Sequence, residues 1–198
     1  MTPDQLLAFL LFAVVAAVTP GPSNIILTST GAAVGVFRGL PCLFGASLGM
    51  GSIVFAAGAG LGSLVLGNAV LLTAVKWGGI AFLLWLSWQI ATSRHDDAAH
   101  GAPVVGFWRA AALQWANPKA WVVSVSAAGT FLQTGAASAL AQSAAFGFLF
   151  ILAALPSGLL WLAFGSSVQR WLRTDRSWTT FNRAMAALLA ASIVLFIW

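Results

Sequence analysis

The chain has no tyrosine and no glutamate, a single cysteine, and so few charges that Asp, Glu, Lys and Arg together make up 7% of its 198 residues. Each shortage removes a class of protein. Soluble domains carry about a quarter charged residues, and a chain that is 60% hydrophobic with a mean hydropathy of +0.94 cannot keep its apolar surface from water. The lone thiol, Cys42, excludes a disulfide framework, a cysteine metal site and a paired-thiol electron shuttle. Asp4, Asp96, Asp97 and Asp175 are the only acids, and all fall at the ends of apolar runs or between them. Clustered oxygen ligands for a hard cation are therefore missing. No serine, histidine and acid fall at one depth, which argues against a membrane-embedded enzyme, and there is no Walker motif for ATP. The formal charge of +5 does not point to nucleic acid, because the basic residues are scattered between hydrophobic runs.

What is present is apolar sequence in membrane-spanning lengths. A span needs about 20 apolar residues to cross about 30 Å of hydrocarbon, and runs near 5–30, 39–66, 69–91, 108–131, 138–165 and 181–198 meet that need. The expectation is an all-α integral membrane protein of six transmembrane helices, with residues 1–198 forming one transmembrane domain. The first run lacks a basic leader and continues into TPGPSN rather than a cleavage site, so it is expected to be a retained span. Arg38 lies in the first loop, Arg94 and Arg109 flank the third, and Arg170, Arg173, Arg176 and Arg183 surround the fifth; the second and fourth loops have no basic residue. That asymmetry predicts loops one, three and five in the cytoplasm and both termini on the other side. Three spans on either side of loop 94–103 suggest half-repeats, 1–93 and 104–198, in opposite orientations. Pro20 and Pro118 are 98 apart (118 − 20), as are Gly60 and Gly158 (158 − 60).

Other features have simpler readings. Gly45, Gly49, Gly51, Gly58, Gly60 and Gly62 crowd the second run, a pattern of close helix packing. Lys76 is expected to snorkel to an interface. Trp88, Trp108, Trp171, Trp178 and Trp198 fall near run ends and are expected as interfacial anchors. Pro156-Ser157-Gly158 predicts a kink that frees the Leu152 carbonyl, for packing or gating rather than binding.

Two places depart from good spanning helix: Thr19-Pro20-Gly21-Pro22-Ser23-Asn24 and Asn117-Pro118-Lys119. Pro20, Pro22 and Pro118 have no N–H, so the carbonyls of Ala16, Val18 and Gln114 lose their helical partners. Freed carbonyls in hydrocarbon persist only where they are buried in protein or line a polar cavity. Each break is also a helix start, with Asn117 suited to cap, Pro118 to the first helical position, and Thr19 or Ser23 able to cap the other. Open N–H groups and Lys119 suit a carboxylate, and freed carbonyls suit an ammonium, so the pair fits a zwitterion. The candidate binding residues are Pro20, Gly21, Pro22, Ser23, Asn24, Gln114, Asn117, Pro118 and Lys119. The plainer alternative is two proline kinks that only shape the bundle. Trp115 and Trp121 flank the second break and either line its cavity or pack beside it.

The segments PGPSNIILTSTGAAVGVFRGL, KWGGIAFLLWLSWQI and QWANPKAWV, with the Gly-rich second span between the first two, resemble the lysine exporter family. The resemblance covers nearly the whole chain and is greatest to the branch exporting homoserine, threonine and related amino acids. It implies a bacterial inner-membrane exporter driven by an ion gradient rather than ATP, with no cofactor. Pro20, Gly21, Pro22, Asn117, Pro118 and Lys119 occupy the motif positions. The implied partners are an amino acid or similar zwitterion, the lipid bilayer and a coupling proton or sodium ion, with a homo-oligomer left open. One departure is the tyrosine that the family usually has near Phe82, a hydroxyl this chain lacks. The competing readings are a structural or assembly subunit without transport and a metal-ion exporter. With no carboxylate in the spans, the expected substrate is a neutral amino acid rather than lysine or arginine. Lys119 would repel a second positive charge, a penalty that cation-π contact with Trp115 or Trp121 would soften.

Overall fold

The computed structural model describes residues 2–93, 105–132, 139–172 and 174–197. Arg94, Asp96, Asp97, Arg173 and Trp198, which entered the sequence reading, lie outside the described residues. Among the described residues every regular element is helical: α1 (Pro3–Val18), α2 (Pro22–Ala56), a π-helical turn (Ala57–Leu61), α3 (Gly62–Gly67), α4 (Ala69–Thr92), α5 (Phe107–Ala116), α6 (Pro118–Phe131), α7 (Ala139–Gln169) and α8 (Asp175–Ile197). Three stretches, Pro22–Val65, Ala69–Thr92 and Ala139–Gln169, are long and apolar enough to cross a membrane, and α1 is shorter but apolar. Helix starts follow local chemistry. Thr2 caps α1 ahead of Pro3, and the Asn68 side chain accepts from the Val70 and Leu71 amides at the start of α4.

The expected first loop, between residues 30 and 39, is not a loop. Helical geometry runs through α2 and fails only at Gly35, whose φ of 77° lies in the left-handed region open to glycine. The chain reverses there. Thr30 Oγ1 lies 3.7 Å from Cys42 Sγ, whereas 12 residues of straight helix would separate them by about 18 Å. Arg38 therefore sits on the second helical arm of α2 rather than in a loop. A second positive φ, 114° at Gly60, bends the chain within the π-helical turn.

The second arm of α2 runs antiparallel to α7, with Gly39 against Leu162, Gly51 against Ile151 and Gly58 against Ser143. A Cβ added to Gly31 would strike the Leu162 carbonyl, one on Gly165 the Thr28 carbonyl, and one on Gly45 the Phe107 carbonyl. Backbones touch at these points because no side chain intervenes, the mode of packing that works in lipid where the hydrophobic effect does not drive helices together. The glycine-rich second run thus serves packing, as its composition suggested. Pro156 sits within α7 without interrupting it. Helices α4 and α8 pair through Leu83, Leu86, Ile90, Ala186, Leu189 and Ile193.

Trp88, Trp108 and Trp171 are exposed, as interfacial anchors should be. Trp178 corrects that expectation: it is 3% exposed, and its indole donates to the Ser93 carbonyl at 3.2 Å, tying α8 to the end of α4. Nearness to a run end did not reveal that the ring turns inward toward a free helix C-terminus.

Candidate functional site

The site is built where two interrupted helices pass each other. Helices α1 and α6 lie antiparallel, with Gln5 Nε2 donating to the Phe131 carbonyl at 2.6 Å and the Phe9 and Phe131 rings edge to face at 5.3 Å. At their other ends Lys119 reaches Thr19. The first turn of α2 meets the last turn of α5, where the Gln114 amide lies against Ser23 Oγ, Nε2 at 2.8 Å and Oε1 at 3.0 Å. Both breaks therefore stand at one level, around a cavity of about 60 Å³.

At the first break Gly21 is extended and gives no side-chain cap, and Asn24 N bonds back to the Gly21 carbonyl. The loosened carbonyls are gathered by side chains. Asn24 Nδ2 lies 3.1, 3.5 and 3.0 Å from the carbonyl oxygens of Ala17, Val18 and Thr19. Lys119 Nζ donates to Thr19 O at 2.6 Å and to Pro20 O at 3.4 Å.

The second break is one residue long. Asn117 is extended, with φ −90° and ψ 110°, and its Oδ1 accepts from Lys119 N at 3.0 Å. Its carbonyl takes the Ala120 and Trp121 amides, its own N–H bonds to Gln114 O at 3.1 Å, and its Nδ2 reaches Ser23 Oγ at 3.5 Å. The expected open N-terminus and free Gln114 carbonyl are thus largely satisfied within the break itself. Gly79 of α4 seats it, since an added Cβ would strike the Ala116 carbonyl.

Of the nine residues expected from sequence, Gly21, Pro22, Ser23, Asn24, Gln114, Asn117 and Lys119 line the cavity. Pro20 gives its carbonyl to Lys119, and the ring of Pro118 lies under Gly79. Sequence reasoning missed other residues of the wall, Ser47, Met50, Phe150 and Gly158 among them. Ser47 was the one available signal, a buried hydroxyl in the glycine-rich run. Gly158, read as part of a kink, is a lining residue. Trp115 and Trp121 pack on one another at 5.8 Å with Trp121 Nε1 donating to Trp115 O at 2.8 Å, and neither faces the cavity. Phe82, at the place of the missing tyrosine, stacks near Trp85 at 5.6 Å and packs on the α4 and α8 cluster.

Among the described residues no acid lines the cavity, and Lys119 is its one ionisable group. Its polar side is made of amides, the Ser23 and Ser47 hydroxyls, carbonyls and an ammonium, and its other side of Met50, Val123, Phe150 and Ala154. Such a chamber suits a small solute with one polar end and one apolar end. At about 60 Å³ it admits a few waters and is smaller than the roughly 300 Å³ or more of a typical ligand pocket. No group of three or more His, Cys, Asp or Glu that could hold a metal occurs among the described residues.

A family described as LysE type translocator matches residues 14–197. The chain is similar to the cysteine/O-acetylserine efflux protein of Salmonella typhimurium, at 33% identity over 132 residues, 67% of this chain and 68% of the relative. It is likewise similar to the protein so named from Klebsiella pneumoniae, at 33% identity covering 67% of each chain. The one from Escherichia coli is 32% identical, over 67% of this chain and 68% of its own. No solved structure matches.

Proposed function

Because the chain belongs to the LysE type translocator family, and so to a group of multi-pass membrane proteins with amino-acid efflux relatives, we propose that it exports small neutral amino acids across the bacterial inner membrane by secondary active transport. The observation that carries this reading is the meeting of two helix breaks at one small cavity that is polar on one side, apolar on the other and free of carboxylates among the described residues. Broken helices are where irregular backbone is tolerated in a membrane and where transporters place substrate. Cysteine and O-acetylserine, which the relatives' names carry, each have one ammonium, one carboxylate and an uncharged side chain. Threonine and homoserine share that pattern. Lysine and arginine add a cation for which the cavity offers no counter-charge.

The same proposal includes six spans: α1 with the first arm of α2; the second arm through α3; α4; α5 with α6; α7; and α8. Reciprocal packing supports inverted halves, since α1 lies on α7, α5 lies on the second arm of α2, and α4 lies on α8. The topology has loops one, three and five inside and the termini outside. It is supported by the gathering of arginine-bearing ends, with the Gly35 turn lying beside Ser166 and Gln169 just before Arg170. In this reading the chain is a carrier and not an enzyme, and the energy comes from a proton or sodium gradient.

Counterflow tests the function. Proteoliposomes loaded with unlabelled cysteine, O-acetylserine, threonine or homoserine should accumulate the labelled amino acid transiently, while lysine and arginine should not. An assembly subunit, an enzyme or a metal exporter would show none of this. Topology is tested separately by cysteine labelling in a Cys42-free background, where protection of residue 68 or 135 from outside reagent would overturn the orientation.

A further inference from the structure

We infer that the ammonium of Lys119 occupies the subsite of the substrate's own ammonium, and that binding is an exchange in which the substrate displaces Lys119 from the first break and then pairs with it. This inference rests on the exporter reading and names the chemistry of its site.

The carbonyls of Thr19 and Pro20 are the acceptors that the proline-interrupted turn leaves to side chains, and Lys119 Nζ takes both, at 2.6 and 3.4 Å. An ammonium has three donors and no acceptor, and in a membrane-embedded protein it must be matched by oxygens. Among the described residues no carboxylate lines the cavity to compete for it. The amino group of an α-amino acid has the same charge and the same three donors, so the oxygens that hold Lys119 are the ones that suit it. Once displaced, Lys119 needs an acceptor, and the substrate brings one in its carboxylate. A zwitterion therefore leaves every charged group matched after the exchange. An amine alone puts two cations against one set of carbonyls, and an acid alone draws Lys119 off and leaves the carbonyls without an ammonium.

Gly21 gives the lysine its room: a Cβ there would meet Lys119 Cδ at 3.0 Å and Nζ at 3.2 Å. Lys119 belongs to α6 and its acceptors to the α1–α2 break, so it straps the two interrupted helices together. Substrate undoes that strap. Binding and loosening are the same event, which makes the zwitterion the key to the conformational change rather than cargo alone.

The test uses purified full-length protein in detergent and three probes: L-cysteine, cysteamine, which lacks the carboxylate, and 3-mercaptopropionate, which lacks the ammonium. Affinities are read from ligand-dependent melting, independently of transport. Wild type should bind cysteine best. Lys119→Met should bind cysteine about tenfold or more weaker, having lost a charged hydrogen-bond partner, and cysteamine about tenfold tighter, because the Thr19 and Pro20 carbonyls have lost the competing ammonium. Gly21→Ala, which crowds the lysine but keeps its charge, should shift the preference from cysteine toward cysteamine about two- to threefold, by the few tenths of a kcal/mol such a shift is worth. If Lys119→Met does not purify as a folded protein, the Gly21→Ala series decides alone. Loss of cysteine binding with no gain for cysteamine in the variants would show that Lys119 is a carboxylate ligand or a structural strap only, and would overturn the exchange. Wild-type protein that shows the exchange in melting but no counterflow of any neutral amino acid would instead overturn the exporter reading.

Discussion

The two helix breaks do the same job by different means. The first, Thr19 to Gly21, depends on others: Asn24 from the next turn and Lys119 from the far half of the chain supply the donors for its carbonyls, and Gly21 contributes no cap. The second, at Asn117, closes on itself, since one side chain caps α6 while the backbone on either side finds partners within four residues. A break that is completed from outside has acceptors that a ligand can compete for. A self-capped break is a fixed platform, and Lys119 stands on it and reaches across. The difference assigns movement to the first break and support to the second.

Removing the internal donor of the first break should break that comparison most severely. Asn24 is buried, and Asn24→Leu keeps its size while stripping the amide from the Ala17, Val18 and Thr19 carbonyls. Each buried acceptor left bare costs about 1–3 kcal/mol, so the variant should show the largest fall in melting temperature of the series and poor yield. An unchanged melting curve would mean that the backbone holds the first break by itself.

Next in size is a wedge at the prop of the second break. Gly79→Val places carbon against the Ala116 carbonyl, beside the Pro118 ring, and overpacking of this kind costs about 1–3 kcal/mol. The fall in melting temperature should be accompanied by a loss of counterflow, because displacing the platform also moves Lys119. Retained transport at reduced stability would show that the second break can shift without disturbing the first.

The features that rank these effects were unequally legible in the sequence. Pro20-Gly21-Pro22 and Asn117-Pro118 marked both breaks because proline removes a donor wherever it stands, a local fact. The capping role of Asn117 was legible for the same reason. The close packing at Gly45 was also foreseen, since a small-residue spacing needs no knowledge of the partner. The hairpin at Gly35 was read as a loop, because a glycine that turns a helix back on one residue looks no different in sequence from one in a connection. Met50 and Phe150 entered the site only through tertiary packing, and nothing in their own surroundings announced it, whereas Ser47 offered a hydroxyl in the glycine-rich run as a signal. The inward turn of Trp178 depended on the free Ser93 carbonyl, a group on another helix. Most telling is Lys119, whose donor role was foreseen as half of a ligand site, while its acceptors in the structure are the Thr19 and Pro20 carbonyls and not those of Ala16, Val18 or Gln114 that the missing proline N–H groups had marked.

A smaller effect separates capping from binding at the second break. Asn117→Ala loses the bond to Lys119 N and should lower stability by about 1 kcal/mol, and Asn117→Ser, which still offers an oxygen to the same amide, should recover most of it. If serine restored the melting temperature but not counterflow, the contact from Asn117 Nδ2 to Ser23 would matter for substrate beyond its structural part.

The smallest effect should come from Pro118→Ala, although proline is what made the second break visible. Pro118 is the first residue of α6, where its missing N–H removes nothing that the helix uses and where alanine is also at ease. Restoring that N–H does not by itself rejoin α5 to α6, because Asn117 is held extended by its own side chain and by the Gln114 carbonyl. Melting should shift by less than about 1 kcal/mol-equivalent, and counterflow should stay within about threefold of wild type, the rate change that about 0.6 kcal/mol in a barrier produces. A tenfold loss of transport with an intact melting curve would mean that the ring, and not Asn117, keeps the two helices apart. The second break would then be no more self-sufficient than the first.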